Sequence, residues 1–583
     1  MLLRHPFAPR DAARAGAPRQ IPTSLADAAV LLGVLTLLYL IAQVGSGALV
    51  SFQPPTDVPE ISLDPANLPY YAGRSTLRMF IALGASLIFT LVYGYVAAKS
   101  RRAERVLIPL LDVLQSVPIL GFLSITVTGF IALFPGSLVG LEMASIFAIF
   151  TSQVWNMTFS FYHSLKSLPR ELDEAVTLYR LPRWQRFFQL EVPAATIGLL
   201  WNAMMSFGGG WFFVAASEAI SVLNQEYTLP GIGSYVAAAI AAEDLRALLL
   251  AVLTMGVVIV LVDQLFWRPL VAWADKFKLE RSAAAEAPRS RVLNILLASR
   301  IPSAISAVIS PVGEALSSFV ARHFPAQAVL NKQNAGAAKD RVYNGLLLVV
   351  VVGLGLLGAD FVLREVGLNE VIQATLMGFV TFFRVLVLVV VSTLIWVPVG
   401  VAIGFNPRLS QLAQPIVQFL ASFPANFLFP FATIFFISAG IELNWGGILL
   451  MSLGAQWYIL FNSIAGAMSI PSDLREMARN MGVRGWQLWR SLIIPGIFGA
   501  WVTGGITASG GAWNASIVAE VVGWGNTTLR AYGLGEYIAT ATEVGDWPRI
   551  VLGVGLMCVF VVALNRLFWR QLYRLAERRF RLD

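Results

Sequence analysis

The residues best placed for chemistry lie in two short acidic runs, 302 positions apart. Glu171, Asp173 and Glu174 form one, and Asp473 and Glu476 form the other. Each run follows a proline (Pro169, Pro471), a residue suited to the first turn of a helix. The carboxylates then fall where they complement the helix dipole. Basic and aromatic residues come next, followed by an apolar stretch into Pro193 or Pro495. The pattern predicts a short polar helix in each of two loops. Read without other context, each is a solvated connector.

Other chemistries lack their residues. His5, His163 and His323 are scattered, and Cys558 stands alone in an apolar run, so no disulfide and no metal site can be assembled from them. No nucleophile–base pattern is visible, so no catalytic residue is assigned. The chain has no Gly-x-x-x-x-Gly-Lys-Ser/Thr and no Gly-Lys dipeptide. A phosphate-cradling P-loop is therefore excluded, and with it the usual route to ATP hydrolysis within this chain.

The solvent of the fold is lipid. Only 13% of the residues are charged, against 57% hydrophobic, where a soluble chain carries about 25% charged residues. Apolar runs then read as membrane helices. Twelve are expected, near 26–49, 78–98, 107–134, 138–162, 194–217 and 247–268, and near 342–360, 379–404, 411–438, 444–466, 496–520 and 550–569. The segment 292–325 reads as amphipathic surface helices. With the N-terminus in the cytoplasm, all but seven of the 42 Lys and Arg fall in cytoplasmic segments, as the positive-inside bias requires. The +8 net charge is thus a topology signal, and no nucleic-acid partner is inferred.

The chain repeats itself. A shift of 302 overlays 168–218 on 470–520 without a gap, pairing Glu174 with Glu476, Pro193 with Pro495, Trp211 with Trp513 and Glu218 with Glu520. A shift of 306 pairs Arg78 with Arg384 and Pro118 with Pro424. Six spans precede each copy's end, so both halves share one orientation, related by a pseudo-two-fold along the membrane normal. The expected organisation is an N-tail (1–25), a first membrane domain (26–270), a cytoplasmic linker (271–341), a second membrane domain (342–572) and a basic tail (573–583). The fold class is all-α and polytopic, with two tandem six-helix domains.

The polar loops carry a resemblance. Glu476-Met477-Ala478, then Gly482, then Leu492, Ile494 and Pro495 resemble the Glu-Ala-Ala, Gly and Ile-x-Leu-Pro signature of permease subunits of binding-protein-dependent ABC importers. The first copy, Glu174-Ala175-Val176 with Leu190, Val192 and Pro193, is similar but carries Arg180 at the Gly position. Trp201 to Met205, Gly209 to Phe213 and Leu229 to Tyr235 are similar to the nitrate, sulfonate, taurine and bicarbonate-type group, in a duplicated single-chain form. The resemblance implies a type I importer fold in the bacterial inner membrane, with both termini cytoplasmic. It implies that each polar loop is a coupling helix docking on a separate P-loop ATPase, a homodimer that binds ATP and Mg, with Glu174 and Glu476 as the principal contacts. A periplasmic or lipid-anchored substrate-binding protein is the second implied partner, and a small anion the implied cargo. An iron importer permease and an ion-driven secondary transporter stay as alternatives.

Candidate pathway residues come from composition. Ser206, Gly209, Ser509 and Gly511 lie in runs of small residues that let membrane helices approach closely or line a pore. Trp211 and Trp513 follow those runs as gates or interfacial anchors. Arg78 and Arg384 are expected at the start of span two, guiding an anion or snorkelling to water. Glu218 and Glu520 are expected to end span five and reach water, unless they serve transport.

Overall fold

The computed structural model describes residues 23–46, 60–277 and 337–579, apart from residues 180, 182, 223 and 224, together with parts of 290–311. Among the described residues the regular elements are helices, save two small hairpins. In the first half, helix one is Thr23–Ser46, helix two Leu68–Lys99 and helix four Val139–Lys166. A short polar helix, Arg170–Leu178, leads into helix five, Val192–Glu218, and helix six is Leu245–Val262. The second half repeats this order with Ala337–Glu365, Leu368–Gly404, Leu443–Ser469, the polar helix Ser472–Asn480, Ile494–Ala519 and Trp547–Leu564. Seven of the described helices are long and apolar enough to cross a membrane.

Span three is not a single helix in either half, contrary to the continuous runs expected at 107–134 and 411–438. It is Arg101–Ser116 followed by Leu123–Leu133 in one half, and Pro407–Ser422 followed by Phe429–Ala439 in the other. The cause is local. Val117 and Phe423 precede Pro118 and Pro424 and adopt extended backbone (ψ 125° and 129°), as the proline ring forces on the residue before it. Hydropathy windows average across such a break.

Helix two also starts earlier than expected, at Leu68 and Leu368 in place of 78 and 379. Arg78 and Arg384 therefore sit well inside their helices. Arg78 lies ten residues in, about 15 Å along the axis at 1.5 Å per residue.

After helix five each half folds an antiparallel hairpin, Ala219–Val222 with Gln225–Thr228 and Val521–Trp524 with Thr527–Arg530. A short helix follows, Ile232–Ala241 or Leu534–Val544. Helix five separates the hairpin from the polar helix, so the two mark opposite faces of the bundle. Four π-helical turns occur at duplicated positions: Phe187–Glu191 with Trp489–Ile493, and Asp263–Trp267 with Asn565–Trp569. Such turns concentrate at functional joints, and the first pair lies where the polar segment enters helix five.

The halves meet along helix five. A Cβ on Gly208 would lie 2.5 Å from Ser422 Oγ of the second half, so the two helices approach closely there and a larger residue would push Ser422 aside. Asn514 Oδ1 accepts from Ile119 N at 2.9 Å, and Gly525 N donates to Ile240 O at 3.1 Å. A cavity of about 690 Å³ opens between the halves, edged by Trp201, Trp211, Arg268, Gln414 and Phe419. Of the linker, the helix Arg291–Ala298 is described. Ser299 Oγ (2.7 Å) and Arg300 N (2.6 Å) both donate to Asp27 Oδ1 on helix one.

Candidate functional site

At the hairpin face, each half carries a buried ionic clamp. Glu218, at the end of helix five, is 0% exposed and does not reach water as expected. Its carboxylate accepts from Arg78 Nη1 at 2.6 Å, Ser75 Oγ at 2.5 Å and Gly233 N at 2.7 Å. Arg78 also donates from Nε to Glu142 Oε2 at 2.5 Å and from Nη2 to the Pro230 carbonyl at 3.0 Å. Arg74 bonds the same Glu142 and reaches the Tyr70 hydroxyl at 2.9 Å. One guanidinium thus ties helices two, four and five to the loop after the hairpin. Its planar fork of donors suits several acceptors at once.

The second half builds the same clamp with one charge of each sign fewer. Arg384 Nη1 donates to Glu520 Oε1 at 2.7 Å, Thr381 Oγ1 to the same oxygen at 2.8 Å, and Gly535 N to Oε2 at 2.8 Å. Asn444 takes the place of Glu142 and accepts from Arg384 Nη2 at 2.9 Å. Val380 takes the place of Arg74. A buried charge is tolerable only when paired, so losing Arg74 and Glu142 together keeps the clamp neutral. Gly231 and Gly533 complete both clamps, because a Cβ at either would overlap the glutamate carboxylate. The three buried arginines are therefore committed to protein acceptors, and their placement favours a structural clamp over an anion lure.

At the opposite face the polar helices are exposed. Glu171, Glu174, Asp473 and Glu476 all face outward. Beside them Leu178 (81%) and Tyr179 (77%) protrude in the first copy, and Met477, Met481 (72%) and Trp486 (72%) in the second. Exposed large apolar side chains next to carboxylates make a surface suited to a protein partner. Ala175 and Ala478 are half-buried on the inner side of their helices, and Pro193 and Pro495 open helix five. Gly482 (φ +71°) and Gly485 (φ +57°) supply the left-handed turn that leaves the second polar helix. Arg180, which stands at the Gly482 position, lies outside the described residues.

The two copies are anchored by different means, which sequence inspection missed. Glu191, fully buried, pairs with Lys99 Nζ at 2.5 Å and Arg186 Nε at 2.7 Å. The aligned residues of the second half are Ile493, Phe405 and Leu488. Ile493 is buried, and Arg475 lies over the Phe405 ring at 5.4 Å. Replacing Glu191 with Ile alone strands two cations against an apolar contact. E191I is expected to melt lower in a thermal-shift assay by about 5–10 °C, and K99F/R186L/E191I to recover most of the loss. Next to this joint, Glu104 accepts from Lys166 Nζ at 2.8 Å and also from Tyr162.

The remaining candidates scatter. Trp211 is buried against Phe207 at the edge of the cavity between the halves, whereas Trp513 stacks on Phe560 within the second half. Ser206 is buried, and Ser509 Oγ donates to its own helix at Ile506 O, 2.9 Å, beside an apolar hollow. A Cβ on Gly209 would stand 3.4 Å from the Tyr458 hydroxyl of the other half, and one on Gly511 3.8 Å from the same ring within its own half. Arg74, Glu142, Tyr458 and Asn156 are polar residues that sequence inspection left out, although each stands out as a polar side chain inside an apolar run. Among the described residues no cluster of His, Cys, Asp and Glu could hold a metal.

The family profile described as "binding-protein-dependent transport system inner membrane component" matches residues 90–266 and again 396–582. The bicarbonate transport system permease protein CmpB of Synechococcus elongatus is 27% identical over 165 residues, 28% of this chain and 56% of that protein. The taurine transport system permease protein TauC of Escherichia coli is 23% identical over 182 residues, 31% of this chain and 62% of that protein. The nitrate import permease protein NrtB of Leptolyngbya laminosa is 24% identical over 184 residues, 32% of this chain and 62% of that protein. The chain thus spans about three fifths of the length of these relatives. The two profile matches fall on the two copies of the repeat and together cover more than half of the chain, so it belongs to the family of binding-protein-dependent transport system inner membrane components, the ABC transporter permeases, and carries that domain twice.

Proposed function

We propose that this chain supplies both permease halves of one ATP-driven importer for a small anion. The observation that carries the reading is the pair of exposed, acid-headed helices, Arg170–Leu178 and Ser472–Asn480, in register within the two family-matched regions. In this reading they face the cytoplasm and dock on a separate P-loop ATPase, one coupling helix per subunit of a homodimer. ATP and Mg bind on that partner, and this chain binds no cofactor. A periplasmic or lipid-anchored binding protein delivers the anion to the hairpin face, and lipid surrounds the bundle. The basic segments on the polar-helix side support this orientation. The anion class is supported by relatives named for bicarbonate, taurine and nitrate.

The test is reconstitution. The chain, its co-purifying ATPase and its binding protein are placed in liposomes and offered nitrate, bicarbonate, taurine and ethanesulfonate. Uptake of at least one is expected with Mg-ATP and not without it. Uptake driven by an ion gradient in the absence of ATP would point to a secondary transporter and end this reading.

A further inference from the structure

The cavity between the halves has a polar mouth and an apolar depth. Arg268, at the mouth, lies 23 residues past Leu245, where helix six begins on the hairpin face. At 1.5 Å per residue that is about 35 Å, more than the roughly 30 Å of hydrocarbon in a bilayer. Gln411 and Gln414 line the other wall, within about 10 Å of the start of their helix at Pro407 on the polar-helix side. Deeper in, the walls are apolar. Met204 and Phe419 each lie 12 residues into their helices, about 18 Å, and Gln418 at that depth is turned onto Met204 Sδ at 3.2 Å. Trp201, Val260 and Ile416 edge the cavity with exposed apolar side chains, so the opening faces the bilayer. A π-helical turn, Asp263–Trp267, brings together side chains five apart, and Arg268 Nε donates to Asp263 Oδ2 at 2.8 Å. That bond engages one nitrogen and one oxygen, so among the described residues Arg268 Nη1 and Asp263 Oδ1 are left for a ligand.

We propose that this cavity holds one phospholipid with an amine headgroup, of the phosphatidylethanolamine kind, drawn from the inner leaflet. Its phosphate meets Arg268 and the amides of Gln411 and Gln414, its ammonium meets Asp263, and an acyl chain occupies the apolar depth. Pockets between membrane helices at the cytoplasmic side bind lipid headgroups, and a guanidinium on a phosphate is among the strongest polar contacts. A volume of about 690 Å³ falls within the range of small-ligand sites. An acid beside a base complements a zwitterion and not an anion alone. The repeat supports a site in one seam only. In the second half Asn565 and Arg566 stand at the places of Asp263 and Gln264, and Asp112 stands at that of Gln418. There Arg566 and Arg570 have a protein carboxylate, Asp112, within electrostatic reach across the seam. At the cavity the acid and the base share one helix, and the facing wall offers amides and no charge. Of the proposed function this inference uses only the cytoplasmic placement of the polar-helix face, and not the cargo.

The experiment uses the full-length chain, delipidated in detergent and titrated with dioleoyl phosphatidylethanolamine, phosphatidylglycerol and phosphatidylcholine under native mass spectrometry. One tight phosphatidylethanolamine adduct is expected, about tenfold tighter than either of the others, because glycerol lacks the cation and choline lacks N–H donors. D263N and R268Q are each expected to weaken it about tenfold, the scale of one charge-assisted hydrogen bond. V260W, at an exposed position with room for the larger ring, is expected to plug the mouth and remove the adduct at an unchanged melting temperature. Absence of a tight adduct, equal affinity for the three lipids, or full affinity in D263N, R268Q and V260W would each overturn the site. So would a cross-link from a benzophenone-labelled Q414C variant, in a C558S background, to linker residues 312–336, since the chain would then fill its own cavity. Lipid binding is read without uptake, so failure of this inference leaves the transport reading standing, and failure of the transport reading leaves the adduct to be explained by the same cavity.

Discussion

Replacing Arg78 with leucine is expected to cost this protein about 3–5 kcal/mol, the penalty for leaving a buried ionic partner uncompensated. The guanidinium is 2% exposed and holds two carboxylates at 2.5–2.6 Å. Without it Glu218 keeps Ser75 and Gly233 but no cation, and Glu142 keeps only Arg74. On the scale of one membrane domain the loss corresponds to about 10 °C in apparent melting temperature, read by tryptophan fluorescence of detergent-solubilised protein. R78K should fall between, because an ammonium keeps the charge but not the fork. The sharper comparison is a transplant. R74V/E142N gives the first half the residues of the second, one cation and one anion fewer. It is expected to melt within a few degrees of the unaltered protein, whereas E142N alone leaves two buried guanidiniums with a single carboxylate, Glu218, and Arg74 with no anionic partner, and should be much worse. Equal melting of R78L and the unaltered protein would show that the clamp does not hold the helices, and an anion-guiding Arg78 would regain its place.

The clamp also shows where the sequence is legible and where it is not. Repeat, span pattern and polar loops lie in the order of residues along the chain, and composition with a fixed shift of 302 or 306 exposes them. The break at Pro118 and Pro424 was legible as well, since proline constrains its predecessor, but apolar runs on both sides hid it from a hydropathy window. Convergence in space is another matter. Arg78 and Glu142 are 64 residues apart and Arg78 and Glu218 are 140 apart, and no spacing rule brings three helices to one guanidinium. A partial signal exists in the repeat itself. Arg74 aligns with Val380 and Glu142 with Asn444, so one cation and one anion vanish together, and such paired loss marks two groups that need each other. The same alignment exposes Lys99, Arg186 and Glu191 against Phe405, Leu488 and Ile493. In a duplicated chain, the positions where the copies differ in concert are thus informative about contact. Positions where they agree report the common scaffold.

The difference between the copies bears on the two polar helices that we propose as docks for the ATPase. On that reading, alanine at both Glu174 and Glu476 is expected to uncouple transport from ATP hydrolysis. A contact at the centre of a docked interface costs about 2 kcal/mol or more when truncated, and each carboxylate is flanked by large exposed apolar side chains that docking would cover. Together they should lower affinity for the ATPase at least a hundredfold, since 1.4 kcal/mol is a factor of ten. Pull-down of the ATPase on the detergent-solubilised chain reads the loss directly, and ATP-driven uptake should vanish with it. The single variants are expected to be unequal. Glu476 sits on a helix that ends in a glycine turn at Gly482, in a segment anchored by the buried Ile493. Glu174 sits on a helix whose segment is tied to helix two through Arg186, Glu191 and Lys99. A docking force applied to the first copy therefore passes through an ionic joint, and one applied to the second through apolar packing. Uptake by E174A and E476A should therefore differ, and the difference should shrink in a K99F/R186L/E191I background, where both joints are apolar. An unchanged difference in that background would mean that the joints do not carry the coupling motion, and retained ATPase binding by the double variant would mean that these carboxylates are not the dock.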